Sequence, residues 1–318
     1  MSRVTFVDIA EKSIEECKNR YENPMRANFA AEFIHLDATS ELISEKISSK
    51  ENLQHDMVSS QFVIHYSFET FEKADNFVKN VSDSLNTGGY FIGTTTNANE
   101  IVKRLRASSE NSFGNELFNI KFYKENKEDF PLFGDKFDFN LDKAVECPEY
   151  LINFKALEHI AKRHNLKLVF SQPFNKFFEA HSTNNEYKKL ISIMSALEPY
   201  YSKYLDKSLS EPADSSEYDY IKSCLAEEAF KADLKDDEQF VTMSKSEWDV
   251  ATLYLVFAFV KVDHFEEDAD SISTADELDN QVVQPDPDEL DNQVESNLKR
   301  KLSLTSEDSL EDNVKHHK

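Results

Sequence analysis

Along the first 262 residues, short apolar runs alternate with stretches whose apolar side chains recur every three or four positions. Val4-Thr5-Phe6-Val7 reads as a short buried strand, and Glu11 to Glu22 as a helix with Ile14, Cys17 and Tyr21 on one face. Ala31 to Leu36 predicts a second strand and Met57 to Ile64 a third. From Phe71 to Leu85, residues Phe71, Ala74, Phe77, Val78, Val81 and Leu85 fall at helical spacing, and Asn86-Thr87-Gly88-Gly89 reads as a stop. Tyr90 to Thr95 follows as a strand and Ile101 to Ala107 as a short helix. Tyr150 to His164, with Pro148 before it, predicts a helix, and Lys167 to Phe170 and Leu253 to Lys261 predict the last strands. Repeated alternation of this kind predicts an α/β fold with a mostly parallel, doubly wound sheet. Phe113 to Leu141 breaks the rhythm: Phe118 to Tyr123 and Lys136 to Leu141 alternate with period two and suggest an inserted β-hairpin. Tyr200 to Phe240 is polar and acidic, an excursion with some helix.

The apolar pattern stops near Val262. From Asp263 to Lys318, 17 acids stand against 5 bases, and Phe265 is the only aromatic. Such a segment cannot bury enough apolar surface to offset its ordering entropy, so residues 263–318 are expected to form a disordered acidic tail after a single domain at 1–262. The tail repeats DELDNQV, at Asp276 to Val282 and again at Asp288 to Val294, too short a repeat for a solenoid. Lys299-Arg300-Lys301 reads equally as a nuclear import signal or as chance.

Composition narrows the function classes. Sixty acids against 36 bases leave a net charge of −24 in 318 residues, which argues against broad nucleic-acid binding while leaving room for a local RNA site. Cys17, Cys147 and Cys224 show neither metal-ligand spacing nor a disulfide framework. The longest apolar run, Leu253 to Val260, is far short of the roughly 20 residues a bilayer requires, and Met1 to Ile9 is too short and polar for a signal peptide. Only five glycines occur, all between Gly88 and Gly134, so no glycine-rich ligand loop exists before position 88.

Candidate chemistry gathers at strand ends. Asp8 closes the first strand, where an acid can accept hydrogen bonds from ribose hydroxyls, although on the residues alone a helix-capping role is the stronger reading. Asp37 holds the matching place after the second strand, either facing an adenine amino group or serving its own loop. In SQFVIHYSFE, Gln61, His65 and Tyr66 end a buried strand, where open α/β sheets place their ligand crevice. On the residues alone, Arg20 reads as a solvated helix residue, Glu149 as a first-turn helix acid and Tyr254 as a strand aromatic.

Taken in order, QFVIHYSFE, GGYFIGTT with Asn97 following, SFGNELF, FPLFGDKFDFNL, CPEYLINF, ALEPY and MSKSEWDVATLYLVFAFVK resemble the eukaryotic mRNA cap (guanine-N7) methyltransferase family, from roughly Val4 to Lys261. The resemblance implies a class I S-adenosylmethionine-dependent methyltransferase fold, a Rossmann-like sheet, acting on N7 of the terminal guanosine of 5'-capped pre-mRNA in the nucleus. It implies further capping or transcription machinery as partners, and no membrane. It implies that Asp8, Asp37, Gln61 and Tyr66 bind the methyl donor, that Arg20, His65, Glu149 and Tyr254 contact the cap, and that no residue acts as a covalent or acid–base catalyst.

In that family a strand and a glycine-rich loop of the form LDLGCGKGG, with a lysine-containing segment upstream, would come before Val4, where only Met1-Ser2-Arg3 stand. The expected sheet therefore lacks its first strand, and the chain as written is expected to bind the donor weakly and to transfer no methyl by itself. Two other functions remain in view: a class I methyltransferase acting on a small molecule, which Glu149, His65 and Tyr254 together disfavour, and a non-catalytic cap-binding or decoy protein.

Overall fold

A computed structural model describes residues 3–22, 29–47, 54–142, 144–202, 207–208, 215–226 and 239–265. The repeat and the basic triplet of the acidic segment lie outside these residues. β1 (Arg3–Asp8) and β2 (Ala30–His35) pair in parallel, with α1 (Glu11–Tyr21) crossing between them. Phe6 and Phe33, opposite each other in this register, stack with ring centroids 5.3 Å apart, and Tyr21 of α1 packs edge-on against Phe33. A single turn, α2 (Ile43–Lys46), leads to β3 (His55–Gln61), a 3₁₀ segment (Ile64–Glu69), α3 (Phe71–Asp83) and β4 (Leu85–Thr96). After α4 (Ala98–Ala107) comes a meander of β5 (Ser112–Gly114), β6 (Phe118–Phe122), β7 (Lys136–Leu141) and β8 (Val145–Tyr150). Next follow α5 (Phe154–Arg163), β9 (Leu166–Pro173), α6 (Phe174–His181) and α7 (Asn185–Ile193). The acidic excursion supplies β10 (Glu198–Ser202), β11 (Lys207–Ser208), α8 (Asp219–Ala226) and β12 (Gln239–Thr242), its strands forming a small antiparallel sheet. α9 (Lys245–Ala251), closed by a capping box between Ser244 and Glu247, delivers β13 (Tyr254–Lys261).

The central sheet has the order β3-β4-β13-β9. β3 and β4 run parallel, but β13 lies antiparallel to both β4 and β9, so the sheet is mixed where a mostly parallel one was expected. Its core packs Phe91, Leu255, Phe257 and Phe259 against α3 and α5. Gly93 is required there: a Cβ would lie 2.4 Å from the Phe257 ring and 2.5 Å from the Ser60 carbonyl oxygen. A second core packs α4 against Phe118, Ile120, Phe122, Phe137 and Phe139 of the meander.

No strand among the described residues joins β1 to β3, so β1–β2 and the central sheet are separate ladders, each with a free edge. Asn80 of α3 ties the two. Its side chain accepts from the Ile43 amide at 2.9 Å and donates to the carbonyls of Ala38 and Glu41 at 2.9 and 2.7 Å. Thr5 Oγ1 and His55 Nε2 add a contact at 3.2 Å.

Three sequence expectations change. The inserted hairpin is a four-stranded antiparallel sheet, β5-β6-β7-β8. The helix expected from Tyr150 starts at Phe154, where the Asn153 side chain accepts from the Ala156 amide; Pro148, Glu149 and Tyr150 belong to edge strand β8, which tolerates a missing N–H. The stop at Asn86 to Gly89 instead lies within β4, with Gly88 at φ 80° absorbing a register shift opposite β3.

Candidate functional site

The carboxyl ends of β3 and β4 meet the edge of the meander at His65. β3 stops at Gln61, and Phe62 follows with φ 56°, a left-handed conformation that costs a non-glycine residue about 1–2 kcal/mol. Two bonds hold it there, from the Phe62 amide to Thr94 O at 3.0 Å and to Thr94 Oγ1 at 3.1 Å. The turn swings the Phe62 ring against Tyr254, with centroids 4.9 Å apart and planes at 82°. It also starts the 3₁₀ segment that sends His65 inward.

His65 is 1% exposed and Glu149 4% exposed, and His65 Nε2 lies 3.5 Å from Glu149 Oε1. Glu149 sits on the edge strand directly across from the fully buried Phe137, so its carboxylate points into the core face of the meander. On the other side of His65, Nδ1 lies 3.4 Å from Thr95 Oγ1. Tyr66 packs on the His65 ring at 4.4 Å, and its hydroxyl meets Cys147 Sγ at 3.2 Å. Burial first, then the Cys147 hydrogen bond and the Glu149 charge, push the Tyr66 phenol above its ordinary range. Burial, followed by the charges of Glu149 and Cys147, does the same to Tyr254. Both rings thus keep their hydroxyl protons at neutral pH.

Four buried side-chain atoms among the described residues have no hydrogen-bond partner: Ser60 Oγ, His65 Nε2, Thr96 Oγ1 and Glu149 Oε2. Thr96 is the register partner of Tyr254, and Ser60 is that of Gly93. Leaving such a group unpaired costs about 1–3 kcal/mol, and these four share one end of the sheet and its neighbouring meander edge. A ligand carrying N–H donors opposite Glu149 would relieve part of that cost.

The remaining sequence-predicted residues stand apart from this group. Gln61 donates to Ser59 Oγ at 3.0 Å on the exposed side of β3. Asp8, at the end of β1, accepts from the Ala10 amide at 2.7 Å through Oδ1. Asp37 accepts from the Thr39 amide and hydroxyl at 2.9 and 2.7 Å and from the Ser40 hydroxyl at 2.8 Å. Burial works against its charge, but these bonds and Lys73 hold its carboxyl below the usual range. Arg20 is an exposed residue of α1 whose ion pair is with Glu16 of the same helix, at 3.6 Å.

Residues 1–262 match the mRNA (guanine-N(7))-methyltransferase domain. The chain belongs to that family. Within it, the chain is 32% identical over 271 residues to the mRNA cap guanine-N(7) methyltransferase of Drosophila melanogaster, covering 82% of this chain and 59% of that protein. It is 34% identical over 274 residues to the Caenorhabditis elegans enzyme of the same name, covering 81% and 67%. The chain thus spans about three fifths to two thirds of the length of these cap methyltransferases. Among solved structures, it is similar to an S-adenosylmethionine-dependent methyltransferase from Clostridium acetobutylicum (TM-score 0.37, 15% identity, covering 54% of this chain and 67% of that one).

For a member of the cap methyltransferase family, the sequence reading missed Ser60, Phe62, Thr95, Thr96 and Cys147. Ser60 and Phe62 flank Gln61 in a stretch already singled out, and Thr95 and Thr96 end the strand after Gly93. Cys147 precedes Glu149 by two residues, the spacing that puts both on one face of a strand, but the reading of this stretch as a helix start hid it.

Proposed function

We propose that this chain provides the cap-recognition wall, and part of the methyl-donor wall, of an mRNA cap guanine-N7 methyltransferase. The observation that carries the reading is Glu149: a buried carboxylate with one oxygen unpartnered, beside His65 and close to Tyr254. A carboxylate accepts from guanine N1–H and from the exocyclic amino group together, while the Tyr254 hydroxyl offers a donor and the rings a stacking surface.

The acidity of the site suits the reaction. Guanine N7 carries a lone pair and no proton, so its methylation requires no general base. When bound, S-adenosylmethionine would supply an electrophilic methyl, its C–S electron pair leaving with sulfur as N7 forms the new bond. The purine then becomes cationic, and the Glu149 charge beside it is favourable as that charge develops. The work left to the protein is alignment of the two reactants.

Asp8 and Asp37 fit donor binding. Asp8 keeps one oxygen outside its hydrogen bond to Ala10, and Asp37 is held ionised with further lone pairs available at a strand end. In this reading Gln61 and Tyr66 would complete the donor side, and Arg20 would reach cap phosphates from α1. A substrate of capped pre-mRNA implies a nuclear site of action.

Transfer of labelled methyl from S-adenosylmethionine to GpppA-capped RNA, with the 318-residue chain and with a version extended to the length of its relatives, tests the reading. N7-methylguanosine as the product supports it. Methylation elsewhere, or no difference between capped and uncapped RNA, overturns it. Cap binding without methylation in the extended protein would favour the decoy reading.

A further inference from the structure

We propose that Thr95 is a positioning residue that fixes the tautomer of His65 and thereby aims Nε2–H at Glu149. The argument is one of hydrogen-bond accounting. Thr95 is 0% exposed, so its hydroxyl proton cannot reach water. Among the described residues, the acceptor within reach of Oγ1 is His65 Nδ1, at 3.4 Å. If His65 carried its proton on Nδ1, the ring would donate to Thr95 and the threonine proton would be left buried without an acceptor, at about 1–3 kcal/mol. If Thr95 donates to Nδ1 instead, its proton is satisfied and the ring proton moves to Nε2.

His65 Nε2 is the atom that faces Glu149 Oε1 at 3.5 Å. With the proton there, the ring turns its N–H dipole toward Oε1 without closing a hydrogen bond, and Oε2, which also has no partner, stays a pure acceptor for a ligand. The opposite tautomer would set a ring lone pair against a carboxylate oxygen. The order Thr95 → His65 → Glu149 thus polarises the site in one direction, so that the surface presented to a ligand is an acceptor. Thr95 can do this because β4 fixes its backbone against β13, opposite Leu255, one residue past the last β3 pair, Gln61–Thr94.

The importance of this for cap binding rests on the proposed function; the tautomer itself does not. The test is histidine 15N NMR on the full chain at neutral pH for the wild type, Thr95→Val and Thr95→Ser, followed by titration with GpppA. The wild type is expected to show His65 with Nδ1 unprotonated and Nε2 carrying the proton. Thr95→Val should move the Nδ1 resonance and weaken GpppA binding about fivefold; Thr95→Ser, which keeps the hydroxyl, should restore both. A proton on Nδ1 in the wild type, or an Nδ1 resonance identical in wild type and Thr95→Val, overturns the proposal. Should Thr95→Val fail to fold, the wild-type spectrum still decides. Absence of GpppA binding to an extended, folded wild type would sink the cap reading, while the NMR result still decides the role of Thr95.

Discussion

Replacing Glu149 by Gln separates recognition from folding, because the two should not fall together. The substitution keeps the shape but turns one acceptor oxygen into a donor. Glu149 Oε2 has no partner in the free protein, so folding gains nothing from that oxygen, while burial of the charge works against it. Stability of Glu149→Gln should therefore stay level or rise by up to about 1 kcal/mol. Recognition should suffer: the new NH₂ faces the N–H edge of guanine, and a mispaired buried contact costs about 1–3 kcal/mol, or roughly 5- to 150-fold in affinity at about 1.4 kcal/mol per decade. The assays are GpppA titration, in the length that binds, and denaturant unfolding of the same preparation. Unchanged affinity would remove Glu149 from the site. A stability loss above about 1 kcal/mol would mean that the carboxylate is a structural partner and that its free oxygen has been misread.

Two further predictions concern the scaffold. Gly93→Ala should lower stability by about 2 kcal/mol at constant m-value in urea, because the new Cβ meets both a backbone oxygen and the Phe257 ring; an unchanged midpoint would show that β3 and β13 can part at that point. Lys124→Met should cost about 3 kcal/mol near neutral pH, because Lys124 pairs with the buried Asp135 over the Phe130 ring. Burial raises the Asp135 carboxyl above its unfolded value even against Lys124, so the native state takes up that proton first, and the variant should regain stability as pH falls through this range; pH-independent loss would argue against it.

The strand–helix rhythm through β4 was legible because each element has a single period, and the positions of Asp8 and Asp37 at strand ends came with it. Glu149 was legible as a residue but not as a place. Apolar positions from Tyr150 onward merge with the true helical face of α5, and Pro148 looks like a helix entrance until β7 is seen pairing with it. The pairing of His65 with Glu149 spans 84 positions between a 3₁₀ turn and an edge strand, and no local pattern encodes such a distance. Thr95 and Thr96 were invisible for a different reason: threonine is ordinary in strands, and only the lack of water around its hydroxyl gives it meaning.

The division of the β ladders has a consequence for motion. β1, α1 and β2 carry a small cluster of their own around Ile34, Leu36 and Ile47, and are tied to the rest of the chain by Asn76 and Asn80 of α3, by Ala38 and by the Thr5–His55 contact. A unit with so little buried surface opens at a lower free energy than the sheet built on Phe91, Phe257 and Phe259, and its amides should exchange with solvent first. Asp8 and Asp37 ride on that unit, whereas His65, Glu149 and Tyr254 stand on the rigid one. Any ligand that needs both sets binds only the fraction of the population in which the two are held together, so its apparent dissociation constant is divided by that fraction and its affinity falls in proportion.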